Sequence, residues 1–278
     1  MESIEQFAAL VAAPRPRLDL GLALIAVADR PQVHPDEILD ALDGVAGNVS
    51  ARDPGGICEE LFGIGPDPFR GDRTDYYSPE NSLLDRVLDR RLGIPITLSV
   101  VAIEVARRCG VALDGIAMPG HFLIAERTGG QLFDPFSGGA PLGRDAARRR
   151  FHELMGADAA FEPAHLAPVS NTAILLRVLN NLRGAYLLRG DRSGMLTALR
   201  LQRAMPGANL AARRELAGVL AADGRFLEAA EEHEQIAALD QSSGAENLGA
   251  AARLGRASTE HAPGPRHGRT EHVDHPRG

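Results

Sequence analysis

The chain has 278 residues, enough for one large domain or two small ones, and 44% of them are hydrophobic, so a sizeable core is expected. Aromatic residues make up 4% and Trp is absent, so that core must be aliphatic. A net charge of −7 argues against a primary nucleic-acid binder, which would show a basic face.

All 30 basic residues are Arg, so the side chains offer no amine for Schiff-base or isopeptide chemistry. The two cysteines, Cys58 and Cys109, lie in no Cys-x-x-Cys or Cys/His zinc spacing, which fits a reduced, cytoplasmic setting. Met1 to Leu10 carries no secretory signal pattern, and no run of about 18 apolar residues predicts a membrane span. No cofactor or metal centre is expected.

Taken in chain order, Leu18 to Asp29 predicts an apolar helix, and a short second helix runs from His34-Pro35-Asp36 to Leu42. Asp53 to Gly56 reads as a loop and Ile57 to Phe62 as a short helix. Residues 63–79, dense in Gly, Pro and Asp, form a long irregular segment. Asn81-Ser82 opens a helix whose end is marked by Arg90, Arg91 and a left-handed Gly93.

Pro95 then starts a helix that runs to Cys109 and Gly110. Its residues Ile96, Leu98, Val100, Val101, Ile103 and Val105 leave almost no polar face, which predicts burial. Glu104, with Arg107 and Arg108 one turn on, reads as a local ion pair rather than a catalytic acid. Short strands are expected at 115–118, 121–126 and 131–134, with a Gly129-Gly130 turn and the sheet ending at Ser137-Gly138-Gly139. Arg148-Arg149-Arg150 reads as a solvated helix face.

From residue 172 the pattern is helical and repeats: Leu182 and Leu216, Tyr186 and Leu220, and Gly190 and Gly224 are each 34 residues apart. That period, with a mid-repeat Gly turn, is the tetratricopeptide signature. Ala229 supplies the small residue expected after the second turn, whereas Met195 stands at the equivalent place in the first. Residues 241–278 read as a disordered tail; its His261, His267, His272 and His275 form a tract of a kind that can bind metal weakly, but an unstructured tail without metal function is the reading favoured.

The chemistry centres on His121 and Asp134. A His and an Asp on two short strands are the general base and orienting carboxylate of cysteine-type acyl transfer. Such a site needs a nucleophile at a helix N-terminus, where the dipole lowers a thiol pKa. The helix beginning at Pro95 is the place for it, yet no Cys is in its first turn. Cys109 lies at the opposite end. Thr97 and Ser99 are the hydroxyls near the start; they are candidate nucleophiles, but hydroxyls in a first turn usually serve the backbone. A two-residue Gly129-Gly130 turn would pair Ala125 with Asp134 and leave His121 about 13 Å away along the strand, so direct contact requires a bulge or a turn shifted toward Arg127-Thr128. Structural roles stand beside the catalytic ones: His121 as a turn residue bonded to backbone, Asp134 as a turn-initiating carboxylate.

Taken together, Asn81-Ser82-Leu83-Leu84, Arg90 to Ser99, Pro119-Gly120-His121-Phe122-Leu123 and Asp134 to Gly139 closely resemble the bacterial SirB-type family, which joins a transglutaminase-like core to tetratricopeptide repeats. The resemblance covers roughly residues 15–240. It implies an α+β, papain-like domain over residues 1–160, with a buried helix against an antiparallel sheet, then an all-α repeat segment over 161–240 and a tail over 241–278. In transglutaminase-like enzymes a Cys opens the buried helix about fifteen residues before its terminal Gly; counting back from Gly110 lands on Pro95. Proline there is a habit of the family it resembles. The expectation is therefore a pseudoenzyme-like regulatory or scaffold protein that binds a peptide or protein partner, and neither nucleic acid nor membrane. The alternative is an amide hydrolase or acyl transferase using Thr97 or Ser99 with His121 and Asp134.

Overall fold

A computed structural model describes residues 2–63, 65–207 and 210–260. The chain divides into two units, Met1–Ala212 and Arg213–Gly278. The expected boundary at residue 160 thus falls inside the first unit, and the first helical pair of the repeat region groups with the residues before it.

The first unit opens with α1 (Glu2–Val11) packed on α2 (Leu18–Asp29). Leu18, Leu22, Ala23, Leu24, Ile25 and Ala26 are all buried, so α2 runs through the core rather than along its surface. The next helix, α3 (Pro35–Gly47), extends past the expected end at Leu42, because Val45 and Ala46 continue the buried stripe begun by Ile38 and Leu42. α4 (Pro54–Phe62) also starts earlier than expected. Pro54, Gly55 and Gly56 form its first turn, because Asp53 Oδ1 accepts the Gly56 amide at 2.9 Å and Pro54 occupies a position that needs no donor.

The irregular segment that follows holds one short strand, β1 (Arg70–Gly71). α5 (Leu84–Arg90) begins two residues after Ser82, and the left-handed residue that ends it is Arg91, φ 55°, not Gly93. Gly93 instead lies in β2 (Leu92–Gly93), paired parallel to β1. It must be glycine for space: a Cβ there would stand 2.8 Å from Thr97 Oγ1.

α6 (Pro95–Arg108) is the central helix, with eleven buried residues. Gly110, φ 79°, turns the chain after it. Four antiparallel strands follow in the order β3 (Leu113–Ile116), β4 (Leu123–Glu126), β5 (Leu132–Phe133) and β6 (Pro141–Leu142). The fourth was not expected; the sheet continues beyond Gly139 because β6 pairs with β5 through Leu132 and Leu142. α6 packs against β3 and β4. Ile116, Leu123, Ala125 and Leu132 join Ala147 and Phe151 of α7 (Arg144–Met155) in a second apolar cluster. The architecture is α+β. Arg148 and Arg149 are exposed on α7. α8 (Asn171–Arg189) and α9 (Arg192–Ala204) complete the unit, joined by left-handed Gly190.

An ion network around two buried carboxylates ties α2 to the C-terminal end of α6. Asp19, 1% exposed, meets Arg17, Arg107 and Arg108 at 3.0, 3.0 and 3.1 Å. Glu104 pairs with Arg107 and Arg108 at 2.8 and 2.9 Å, which is the ion pair the spacing predicts.

The second unit holds α10 (Leu210–Ala222) from Arg213 onward; left-handed Gly224 joins it to α11 (Phe226–Leu239), and α11 packs on α12 (Gly244–Glu260). The last helix corrects the expectation of a disordered segment from residue 241. Its glycines mask an alanine-rich run of high helix propensity. Ala251 is buried, and Asn247 meets His233 Nδ1 at 2.9 Å. His261, His267, His272 and His275 lie outside the described residues.

Candidate functional site

The β4–β5 hairpin brings His121 and Asp134 together. Its loop is Arg127 to Gly130, closed by the Glu126 amide on the Gln131 carbonyl and the Gly130 amide on the Glu126 carbonyl, both at 2.9 Å. Only Gly130 of the two glycines takes a positive φ, 69°. The pairing is therefore Ala125 with Leu132 and Ile124 with Phe133, two residues away from the expected Ala125–Asp134 register. Extended by one step, this register sets Asp134 level with Leu123, so His121 is offset by about 7 Å along the strand, within reach of an imidazole. A turn at Met118–His121, with Gly120 at φ 75°, delivers the ring.

His121 Nε2 lies 2.9 Å from Asp134 Oδ2, and both side chains are buried. The other carboxylate oxygen, Oδ1, accepts the Phe136 and Ser137 amides at 3.1 and 3.2 Å, capping the short 3-10 turn Pro135–Ser137. Burial pulls the Asp134 pKa upward. The His121 hydrogen bond and charge, with the Ser137 bonds, pull harder and hold it below the ordinary aspartate value. An ionised Asp134 only accepts, so Nε2–H donates and a neutral imidazole keeps its lone pair on Nδ1. Among the described residues Nδ1 has no partner, yet it is not sealed from solvent. The arrangement is an oriented base with its basic nitrogen open.

The candidate nucleophiles are differently placed. Thr97 is fully buried; its Oγ1 accepts the Ile94 amide at 3.1 Å and donates to the Asn81 carbonyl at 2.7 Å. Ser99 is also fully buried, and its Oγ has no partner among the described residues. Cys58 is sealed in the core, where burial and, secondarily, the Asp53 charge push its thiol up to about 12. Cys109 caps the C-terminal end of α6. Among the described residues no group of three or more His, Cys, Asp or Glu could hold a metal ion.

Residues not singled out from the sequence surround the dyad. Phe136 meets the His121 ring edge-on, 6.1 Å between centroids, and Tyr76 in the same manner at 6.0 Å. Gly71 admits Phe136: a Cβ there would be 2.5 Å from the ring. The Arg73 guanidinium lies 5.0 Å over Phe136. Arg177 of α8 donates to the His121 carbonyl at 2.9 Å and to the Met118 carbonyl at 3.2 and 3.1 Å. One signal for Arg177 was available: it is the lone charge inside the apolar run Ile174 to Leu179. Beside these residues a groove of 140 Å³ is lined by Tyr76, Tyr77, Ser82, Ile94, Asn181 and Leu188, among others.

A family model described as transglutaminase-like superfamily matches residues 38–180. A UPF0162 protein of Xylella fastidiosa is 43% identical over 123 residues, 42% of this chain and 44% of that protein. A UPF0162 protein of Pseudomonas aeruginosa is 31% identical over 173 residues, 60% and 64% of the two lengths. A 56-residue stretch is 46% identical to the mouse F-box only protein 21, covering 20% of this chain and 9% of that one. The chain thus spans less than half the length of the Xylella relatives it matches. No solved structure matches it significantly. Among the described residues no helix is long and apolar enough to cross a membrane.

Proposed function

The chain belongs to the transglutaminase-like superfamily, and on that premise we propose that it is a non-catalytic regulatory or scaffold protein of the cytoplasm, which binds a peptide or protein partner at a degenerate acyl-transfer cleft. One observation carries this reading. At the helix start, where the nucleophile belongs, Pro95 opens α6 and the Thr97 hydroxyl is committed to the Ile94 amide and the Asn81 carbonyl. A hydroxyl whose proton is held by a carbonyl in a sealed core is not poised for His121 to activate it.

The helical pairs α8–α9 and α10–α11 belong to the same proposal, as two tetratricopeptide-type repeats in a SirB-type arrangement. The left-handed turns at Gly190 and Gly224 support it, as does Gly194, where a Cβ would stand 2.5 Å from the Tyr186 ring. The test is turnover. The full chain is expected to leave fluorogenic peptide amides and esters intact, while a pull-down retains a partner that His121→Ala weakens. Turnover that disappears in His121→Ala would overturn it.

A second reading, an amide hydrolase or acyl transferase, is favoured by the unpartnered Ser99 hydroxyl together with the open Nδ1 of His121. It predicts fluorophosphonate labelling that is lost in both Ser99→Ala and His121→Ala. Labelling unchanged by His121→Ala removes it.

A further inference from the structure

We propose that the groove between the Tyr76–Ser82 segment and α8 binds an extended peptide carrying a carboxylate, which Arg177 receives beside His121 with Arg73 at the rim. This rests on the binding reading above and names the chemistry of the partner.

The first argument is an unbalanced cation. Well-buried arginines elsewhere in the chain meet carboxylates: Arg108 with Asp19 and Glu104, Arg90 with Asp72, and Arg213 with Glu232. Arg177 is half-buried, hydrogen-bonded only to carbonyls and 5.6 Å over the Phe122 ring, with no carboxylate partner among the described residues. A guanidinium withdrawn from water without a counter-ion is costly to hold. Its Nε has no bond and is not enclosed, so one edge of the fork remains available to an anion. Arg73 likewise has no carboxylate partner among the described residues. The acids of the facing loop are occupied: Asp72 by Arg90 and backbone amides, Asp75 by Arg189, and Glu80 by Arg86 and Arg90. The site is cationic in a chain of net charge −7, and that complementarity selects an acidic ligand.

The second argument is the shape beyond Arg177. Arg177, Asn181, Gly184 and Leu188 recur at helical spacing along one stripe of α8, and the last three line the groove with Tyr76 and Tyr77. Tyr76 joins the two parts, lining the groove while meeting Phe136 edge-on. The Asn181 amide has no partner among the described residues and offers the donor and acceptor that a peptide group needs. Tyr77 and Leu188, 63% and 67% exposed, give apolar walls for a side chain. From Arg177 to Leu188 the helix rises about 16 Å, the reach of roughly five extended residues. The Asp75–Arg189 ion pair, 2.5 Å, anchors the loop to α8 at the far end.

The test uses the full chain and fluorescein-labelled five-residue peptides of alternating leucine and alanine, with one terminal aspartate or asparagine, in both chain directions. Anisotropy is expected to show the aspartate peptide in one direction binding at least about tenfold tighter than its asparagine counterpart, as a hydrogen bond to a charged group implies. Arg177→Gln abolishes that preference, Leu188→Asp weakens both peptides, and Arg73→Gln weakens only the aspartate form. Because Arg177 also holds two carbonyls, Arg73→Gln and Leu188→Asp decide the matter if Arg177→Gln does not fold. Equal binding of the two peptides in both directions overturns the proposal, as does insensitivity to Arg73→Gln and Leu188→Asp. So does displacement by inorganic phosphate at the concentration of the peptide. Cleavage of a tightly bound aspartate peptide would leave the groove standing and overturn the regulatory reading. No binding and no cleavage would overturn the groove alone.

Discussion

Two buried polar clusters of the first unit are built on opposite rules. In the Asp19–Glu104 network each buried carboxylate meets at least two arginines, so each acid is matched from within the chain. Around His121 the hydrogen bonds are equally short, but three groups have no partner among the described residues: Nδ1 of His121, Nε of Arg177 and the amide of Asn181. The difference separates what fixes the fold from what can bind. A closed network returns its desolvation cost through its own partners, whereas an open one waits for a partner from outside.

Breaking the closed network gives the largest expected effect. Asp19→Ala removes one of the two carboxylates that Arg107 and Arg108 share, leaving them Glu104, and is expected to cost about 3 kcal/mol in denaturant unfolding. Its effect on peptide affinity at matched folded fraction should be nil; a loss of both would mean the two clusters are coupled.

Asp134→Asn comes next, at about 2 kcal/mol, because it removes a charge-assisted acceptor of His121, Phe136 and Ser137. The native pKa of Asp134 is lowered, so its contribution is fully present above the ordinary aspartate value. It is lost as pH falls through the native value. The gap in stability between wild type and Asp134→Asn should therefore close on acidification below the ordinary aspartate range, measured by urea titration across pH. A gap that widens there would reverse the assignment.

Thr97→Val sharpens the comparison from the other side. It should cost about 1–2 kcal/mol by stranding the Ile94 amide and the Asn81 carbonyl, yet leave peptide binding intact. Loss of binding at full stability would return Thr97 to the site. Arg148→Ser, on the solvated face of α7, should change stability by less than about 0.5 kcal/mol by calorimetry.

What could be read from the sequence follows from how local each signal is. Pro95 and Gly110 delimit α6 by rules that act within one turn, and the structure keeps both ends. The His121–Asp134 pairing was legible as chemistry but not as register, because choosing Gly130 rather than both glycines for the turn moves the partner by two residues. Arg91 in place of Gly93 as the left-handed stop was hidden, since Gly93 is needed for space against Thr97, a contact across the β2–α6 corner. Phe136 and Arg177 gain their roles only through Gly71 and the Met118–His121 turn, which lie far from them in the chain. The α12 helix is hidden because its glycines and arginines interrupt an alanine run whose packing on α11 is not local.

The Arg127–Gly130 loop works as a gauge block. It touches neither member of the dyad, yet its length decides which residue of β5 stands level with Leu123. Removing one residue from it would shift the pairing by a single step, turn every β5 side chain to the other face and part His121 from Asp134 with both still in the sequence. The distance between acid and base is thus inherited through a surface turn, and a relative with a different count there can carry both residues without the pair.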